Sequence, residues 1–278
     1  MRGAAAYFSE LSKDFRAFWQ LNRKPRLNYT FAERIKLICA LRSREHEADV
    51  LRFHVNYLSE GWFRYLLSEI FIGGEYFFEA ETDSPVILDC GANIGLATLF
   101  FKHLYPKARV SAFEADPTTA YVLQKNIDQN HLEKVFAYNL LLSNAEGEHP
   151  FYLATDEDGS PLMSAEPNRL LSNRKIMVKA AKLSHFVDGP VDFLKLDVEG
   201  SEFDVLTDLK CTGKISCIRR MVIEYHHGIG DQASRLGSFL ALLEGEAFNY
   251  QILRTCNPIS SQREYQDILI GASRPSVT

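Results

Sequence analysis

Beyond residue 85, short apolar runs alternate with stretches of helical spacing, and this alternation predicts a layered α/β domain. Residues 85–90 are an apolar run that ends at a glycine-bearing turn, and 94–105 carry helical spacing up to Pro106. Residues 109–114 read as a second strand, and Pro117 in a first helical turn opens a helix to about residue 129. Residues 135–142 read as a third strand. From 143 to 187 the rhythm breaks. Turn signals at Gly147, Asp158-Gly159, Pro161 and Pro167 enclose strand-like pieces at 151–153 and 176–180, an inserted hairpin or loop over a site. The pattern resumes with strands at 191–196 and 218–225 and helices at 202–209 and 233–243. Two last strands, 249–254 and 266–270, have no helix between them and so pair antiparallel.

The first 80 residues read mainly as helices. Phe15, Phe18, Trp19 and Leu21 fall on one helical face, and Asn28-Tyr29-Thr30 caps a helix over 31–44. A further helical segment is expected over 46–72, with Val50, Leu51, Phe53, Val55, Tyr57 and Leu58 as its apolar positions, a break near Gly61 and an end at Gly73-Gly74. The organisation expected is therefore a helical N-terminal extension or lid over 1–80, then a ligand-binding α/β domain over 81–278 with its insert at about 143–187.

Composition narrows the class. The 278 residues are 46% hydrophobic and 24% charged, an ordinary globular balance. Five scattered cysteines form no C-x-x-C pair, so neither a zinc ribbon nor a redox motif is readable, and reduced thiols in a cytoplasmic protein are expected. No run of about 18 apolar residues offers a membrane span. The net charge is −5, with ten Lys/Arg against six Asp/Glu in residues 1–50, which leaves about −9 on the rest. An acidic main body disfavours nucleic acid as a partner.

In parallel sheets, ligands sit outside the carboxyl ends of the strands. At the first such end stands Asp89-Cys90-Gly91-Ala92-Asn93-Ile94-Gly95. Gly91 and Gly95 permit a tight turn and close backbone approach, and the next helix offers N–H groups to an anion. The spacing is not G-x-G-x-x-G, so a dinucleotide pyrophosphate is not the natural guest. An acid before the turn suits a ligand with an ammonium as well as a carboxylate, and S-adenosylmethionine has both. Glu114, 19 residues after Gly95, can accept hydrogen bonds from both ribose hydroxyls of an adenosine.

Two further clusters carry chemistry. In Phe193-Leu194-Lys195-Leu196-Asp197-Val198-Glu199-Gly200-Ser201-Glu202, alternation places Lys195, Asp197 and Glu199 on one side, while Glu202 suits a helix start. In Glu224-Tyr225-His226-His227, Glu224 and His226 share a face, and an imidazole is suited to removing a hydroxyl proton. Asp197 and His226 are expected beside the methyl acceptor, with Glu199 and Glu224 orienting them. Asp197, Glu224 and His226 are also conceivable ligands of a divalent metal. That reading is not favoured, because oxygen ligands plus one imidazole suit magnesium or manganese only moderately.

These stretches carry a resemblance. D-x-G-A-N-x-G at Asp89–Gly95, F-E-x-D-P at Phe113–Pro117 and K-x-D-x-E-G-x-E at Lys195–Glu202 resemble the FkbM family of methyltransferases, over about residues 70–227. The resemblance implies a class I methyltransferase fold with strand order 3-2-1-4-5-7-6, and O-methylation of a hydroxyl on a sugar, polyketide or other small molecule. It implies a cofactor site at Asp89, Gly91, Ala92, Asn93, Gly95, Glu114, Ala115 and Ser143. Ala115 stands where family members often have proline, and Leu141 is bulkier than the family's usual residue before that serine. A nicotinamide-dependent oxidoreductase and a non-catalytic binding protein of the same fold are the alternatives. A homodimer through the N-terminal helices is a further expectation.

Overall fold

The computed structural model describes residues 21, 25–153, 174–227, 235–255 and 266–275. Phe15, Phe18 and Trp19 lie outside them. Helix α1 (Phe31–Ala40) opens at Thr30 with a capping box: Thr30 Oγ1 accepts the Glu33 N–H at 3.2 Å, and the Glu33 carboxylate accepts the Thr30 N–H at 2.8 Å. The next segment departs from the helix expected over 46–72. Strands β1 (Glu47–Val50) and β2 (Phe53–Asn56) form an antiparallel hairpin, closed by Leu51 in a left-handed conformation (φ 57°) and Arg52. The cause is a period of two: Ala48, Val50, Phe53 and Val55 point inward while their neighbours do not. The helical reading took the same apolar residues at the wrong period. Helix α2 (Glu60–Leu67) then runs into a wider turn over Ser68–Ile72, where the Gly73 N–H reaches back to the Ser68 carbonyl at 2.7 Å.

Asn126 fastens the hairpin to the domain. Its Oδ1 accepts the Asn56 N–H at 2.7 Å, and its Nδ2 donates to the carbonyls of Ile94 and Asn56 at 2.8 and 3.0 Å. Asn126→Ala should cost about 1–3 kcal/mol, since it strands buried backbone groups. A lowered urea midpoint with an unchanged slope would show this.

The main domain alternates β3 (Val86–Cys90), α3 (Leu96–Leu104), β4 (Arg109–Glu114), α4 (Pro117–Gln129) and β5 (Val135–Asn139). The chain then leaves the main sheet through β6 (Leu141–Leu142), β7 (Gly147–Tyr152) and β8 (Lys175–Ala181), which make a separate three-stranded sheet in the order β6-β8-β7. It returns as β9 (Phe193–Leu196), α5 (Glu202–Cys211), β10 (Arg220–His227), α6 (Leu236–Gly245), β11 (Asn249–Thr255) and β12 (Gln266–Ser273). The seven-stranded sheet has the order β11-β12-β10-β9-β3-β4-β5, with β12 antiparallel to both neighbours. Counted by position in the main sheet, this is 3-2-1-4-5-7-6 read from the β5 edge, the class I methyltransferase arrangement. The expected third strand over 135–142 is two strands in two sheets.

Central strands are apolar on both faces because both are covered. On one face Ile87, Val110 and Phe193 meet Leu96, Phe100 and Phe101 of α3 together with the N-terminal elements, and Phe78 stacks on Phe193 at 4.2 Å. On the other, Leu194, Leu196 and Ile223 meet Val205, Leu206 and Phe239 of α5 and α6. The sheet's carboxyl edge is thereby fixed as a platform, with β3 and β9 adjacent at the switch point. No helix of the described residues is long and apolar enough to cross a membrane. The four described cysteines, Cys39, Cys90, Cys211 and Cys217, are free thiols.

Candidate active site

The turn after β3 is built from left-handed residues. Gly91, Asn93 and Gly95 have φ of 78°, 50° and 94°. The N–H groups of Gly91 and Ala92 both donate to the Phe113 carbonyl of β4, at 2.9 and 2.8 Å. Gly91 is required by contact as well as by conformation: a Cβ there would lie 1.7 Å from the Asp197 carbonyl oxygen. The turns after β3 and β9 thus touch backbone to backbone. Gly95, the N-cap of α3, would place a Cβ 2.8 Å from the Leu123 side chain of α4, so its service is close packing.

Glu114 ends β4 beside this turn. Its Oε2 accepts the Asn93 N–H and its Oε1 the Asp116 N–H, both at 2.9 Å. Burial pushes its pKa up to about 7 against those two bonds, so the carboxylate is held at the edge of ionisation. Each oxygen keeps acceptor capacity for a further donor.

Lys195 lies at the centre of the site, inside β9 and almost fully buried. Its Nζ donates to the Gly91 and Cys90 carbonyls at 2.6 and 3.3 Å, and sits 3.3 Å from Asp197 Oδ2 and 3.5 Å from Asp89 Oδ1. Burial lowers its pKa, but the carboxylates of Asp197 and Asp89 outweigh that and raise it, so it stays charged. Asp89 is wholly buried, accepts the Thr98 hydroxyl at 2.6 Å, and does not line the cavity. The ammonium that this carboxylate faces is therefore that of Lys195.

Two cavities open at this edge. The first, about 740 Å³, is lined by Gly91, Ala92, Asn93, Glu114 and Ala115 on one side and by Lys195, Asp197 and Glu199 on another. Leu140, Leu141, Leu142 and Phe151 give it an apolar wall. Ser143, expected in the cofactor site, is not among the lining residues. Its N–H is bonded to the Ala181 carbonyl at 3.1 Å, and the leucines before it face the space instead. The second cavity, about 520 Å³, is lined by Asp197, Glu199, Glu224, His226 and Asp267 beneath Trp62 and Tyr65. Leu66, Ile70, Tyr76, Asp197 and Glu199 line both cavities.

The four expected catalytic residues therefore come together, although extension does not persist through them: Glu199 is left-handed (φ 58°) and turns its carboxylate toward His226. Burial, with the charge of Asp197 next, raises the pKa of Glu224 to about 7. Ligand-type atoms of Asp197, Glu199 and His226, and of Glu224, His226 and Asp267, lie within 4.8 Å of one another, close enough to share one cation. Sequence reasoning grouped Lys195 with Asp197 and Glu199 but assigned it no role, and it missed Tyr76, Ile70 and Asp267 as site residues. Lys195 carried a signal, a lone cation in an apolar strand, whereas Tyr76 and Ile70 sit in a segment read only as a cover.

Residues 89–252 match the family described as the Methyltransferase FkbM domain. Methyltransferase sdnD of Sordaria araneosa is 32% identical over 191 residues, covering 58% of this chain and 73% of that one. Methyltransferase 1 of Beauveria bassiana (strain ARSEF 2860) is 29% identical over 210 residues, covering 68% of this chain and 82% of that one. The 2-O-methyltransferase NoeI of Sinorhizobium fredii is 26% identical over 148 residues, covering 48% of this chain and 60% of that one.

Proposed function

The chain belongs to the FkbM family and is an S-adenosylmethionine-dependent methyltransferase, and we propose that it methylates a hydroxyl oxygen of a small molecule. The observation that carries the reading is Glu114. It is tied through Asn93 to the turn after β3, and it opens into the same cavity as Asp197. Glu114 would accept the ribose hydroxyls of the donor, Leu140–Leu142 and Phe151 would pack its adenine, and the turn after β3 with the first N–H groups of α3 would receive its methionine end. The donor would supply its methyl group where the cavities meet, at Asp197 and Glu199.

The acceptor enters the second cavity. Its oxygen forms the new bond to the methyl carbon while the C–S bond breaks and its electron pair goes to sulfur. The hydroxyl proton passes to the group formed by Asp197, Glu199, Glu224 and His226. Holding oxygen, carbon and sulfur in line can lower the barrier by about 7–11 kcal/mol, and a general base adds roughly 10²–10⁴-fold, so alignment dominates. The acidic lining favours a neutral or cationic acceptor over a polyanion. The relative NoeI, a 2-O-methyltransferase, supports oxygen as the accepting atom. No glycine pattern for a pyrophosphate supports the nicotinamide alternative. Labelled-methyl transfer from S-adenosylmethionine into a metabolite extract, with mass spectrometry of the product, tests this. A labelled ether is expected. Label found only on nitrogen or carbon would overturn the oxygen assignment, and no transfer in a single turnover would favour a binding protein.

Glu114 also sets a pH dependence. Its raised pKa means that the ligand-free protein binds more protons than the unfolded chain between the ordinary carboxylate range and about 7. Stability contributed by this group therefore falls as pH rises through that window. Ribose donors favour the ionised form, so donor binding releases a proton below about 7. Affinity should rise with pH up to that point and level off above it. In Glu114→Gln the profile should be flat, as measured by calorimetry in buffers of different ionisation heat.

A further inference from the structure

The described residues that line both cavities are Leu66, Ile70, Tyr76, Asp197 and Glu199. The methyl group and the accepting oxygen must meet along this shared wall. Two of these side chains are aliphatic and two are carboxylates, so among them Tyr76 is the one with a hydrogen to donate at neutral pH. Only 4% of Tyr76 is exposed, and among the described residues its hydroxyl makes no hydrogen bond. The Lys195 ammonium lies over its ring, with Nζ 5.3 Å from the centroid. The carboxylates that act on its hydroxyl are Asp197, Glu75 and Glu224, which line the acceptor cavity, and then Asp89, which lines neither. The ring is thus held at the wall, and the hydroxyl is turned toward the acceptor side. Its backbone is fixed by the wide turn. Gly74, left-handed at φ 67°, and Glu75 give their N–H groups to the Ile70 and Glu69 carbonyls, both at 3.2 Å, and the Phe77 N–H returns to the Gly74 carbonyl at 3.0 Å. A buried hydroxyl held without a protein partner lowers stability, and phenylalanine would fill the same space. The fold therefore does not account for the hydroxyl, and a ligand does.

We propose that Tyr76 donates a hydrogen bond to the accepting oxygen, orients it toward the methyl group and so selects oxygen over nitrogen; this rests on the methyl-transfer reading above. A hydroxyl oxygen has two lone pairs. One forms the bond to the methyl carbon, the other is held by Tyr76, and the hydroxyl proton leaves to the acidic group. Tyr76 keeps its own proton, so nothing is transferred at this residue. An ionised carboxylate cannot take its place, because it can only accept. A neutral amine has a single lone pair. Once that pair attacks the methyl group, none is left for Tyr76, so the phenol favours a hydroxyl acceptor.

Tyr76→Phe keeps the ring beside Lys195 and removes only the hydroxyl. The test compares it with the unaltered full-length chain in single-turnover transfer of labelled methyl from S-adenosylmethionine into serial dilutions of a metabolite extract. The plateau rate should fall about 10- to 100-fold, the effect of one hydrogen bond lost at the reacting atom. Donor affinity by calorimetry should stay within about twofold, and the urea midpoint should not fall. An unchanged plateau would overturn the proposal. So would an equal loss of donor affinity, which would put the hydroxyl on the donor, or a midpoint lowered in step with the rate, which would make it structural. A change in the half-saturating dilution alone would also overturn it, since the hydroxyl would then bind the acceptor away from its reacting oxygen. No transfer by the unaltered chain would sink the methyl-transfer reading and this inference with it, whereas transfer at equal rates by both proteins would sink this inference alone.

Discussion

Lys195→Met should destabilise the protein by about 3–5 kcal/mol and abolish methyl transfer, the largest effect expected of any single side chain here. The ammonium meets four acceptors, on Cys90, Gly91, Asp89 and Asp197, and only 2% of the residue is exposed. Methionine preserves the stem's volume but leaves Asp89, itself 0% exposed, without the cation it faces and dependent on the Thr98 hydroxyl. Removing one member of a buried charge pair costs more than the pair contributes, because the partner stays desolvated. Activity should fall further than stability predicts. Lys195 binds the turn that holds the donor and the carboxylate that faces the acceptor, so both ends of the reaction lose their relative position at once. Lys195→Arg should not rescue, since a planar guanidinium cannot make the same converging bonds in that space. Denaturant titration beside a single-turnover assay would show both losses.

Gly91→Ala should reduce donor affinity at least about 100-fold and cost roughly 2–4 kcal/mol, combining left-handed strain with overpacking. The clash is with backbone: the Cβ would fall 1.7 Å from the Asp197 carbonyl oxygen and 2.8 Å from its carbon. Relief requires the turns after β3 and β9 to separate, which moves Glu114's partner Asn93 away from Asp197. Gly95→Ala is the control. Its φ of 94° carries similar strain, but the obstacle is the tip of the flexible Leu123 side chain at 2.8 Å. Donor affinity should therefore fall far less at Gly95 than at Gly91. Equal losses at both positions would mean that conformation alone, and not contact between the two turns, makes Gly91 necessary.

Much of the fold was legible in the chain because the signals are local. The strands ending at Cys90, Glu114 and Leu196 announce themselves as apolar runs closed by charge or glycine, and the parallel sheet follows from the helices between them. The antiparallel end, expected because the sequence between the last two apolar runs has no helical pattern, is present as β12 running against β11 and β10. Residues 46–56 misled because Val50, Leu51, Phe53 and Val55 fit a helical face about as well as a hairpin. What separates the two readings is the period of two through Ala48, Val50, Phe53 and Val55, reversed at the left-handed Leu51, and the bonds from Asn126, of which only the last are tertiary. The break after Asn139 was invisible for a similar reason: nothing in Leu140–Leu142 says that the chain changes sheets. Within the site, residue types at strand ends gave the acids, but not which of them meet. Asp89 looked like a ligand-facing acid, and only its distance to Lys195 shows that its cation is internal. Glu202 looked like an ordinary acid at a helix start, and its bond to His226 spans 24 residues.

If Glu114 and the turn after β3 grip one adenosyl donor, isothermal calorimetry of the intact chain against S-adenosylmethionine and its demethylated product shows it most directly. Binding at a single site is predicted for both. Each charge-assisted ribose bond contributes about 1.5–3 kcal/mol, so Glu114→Ala should weaken binding by roughly 10- to 150-fold or more. No heat with either ligand on well-folded protein, or equal affinity in Glu114→Ala, would contradict it.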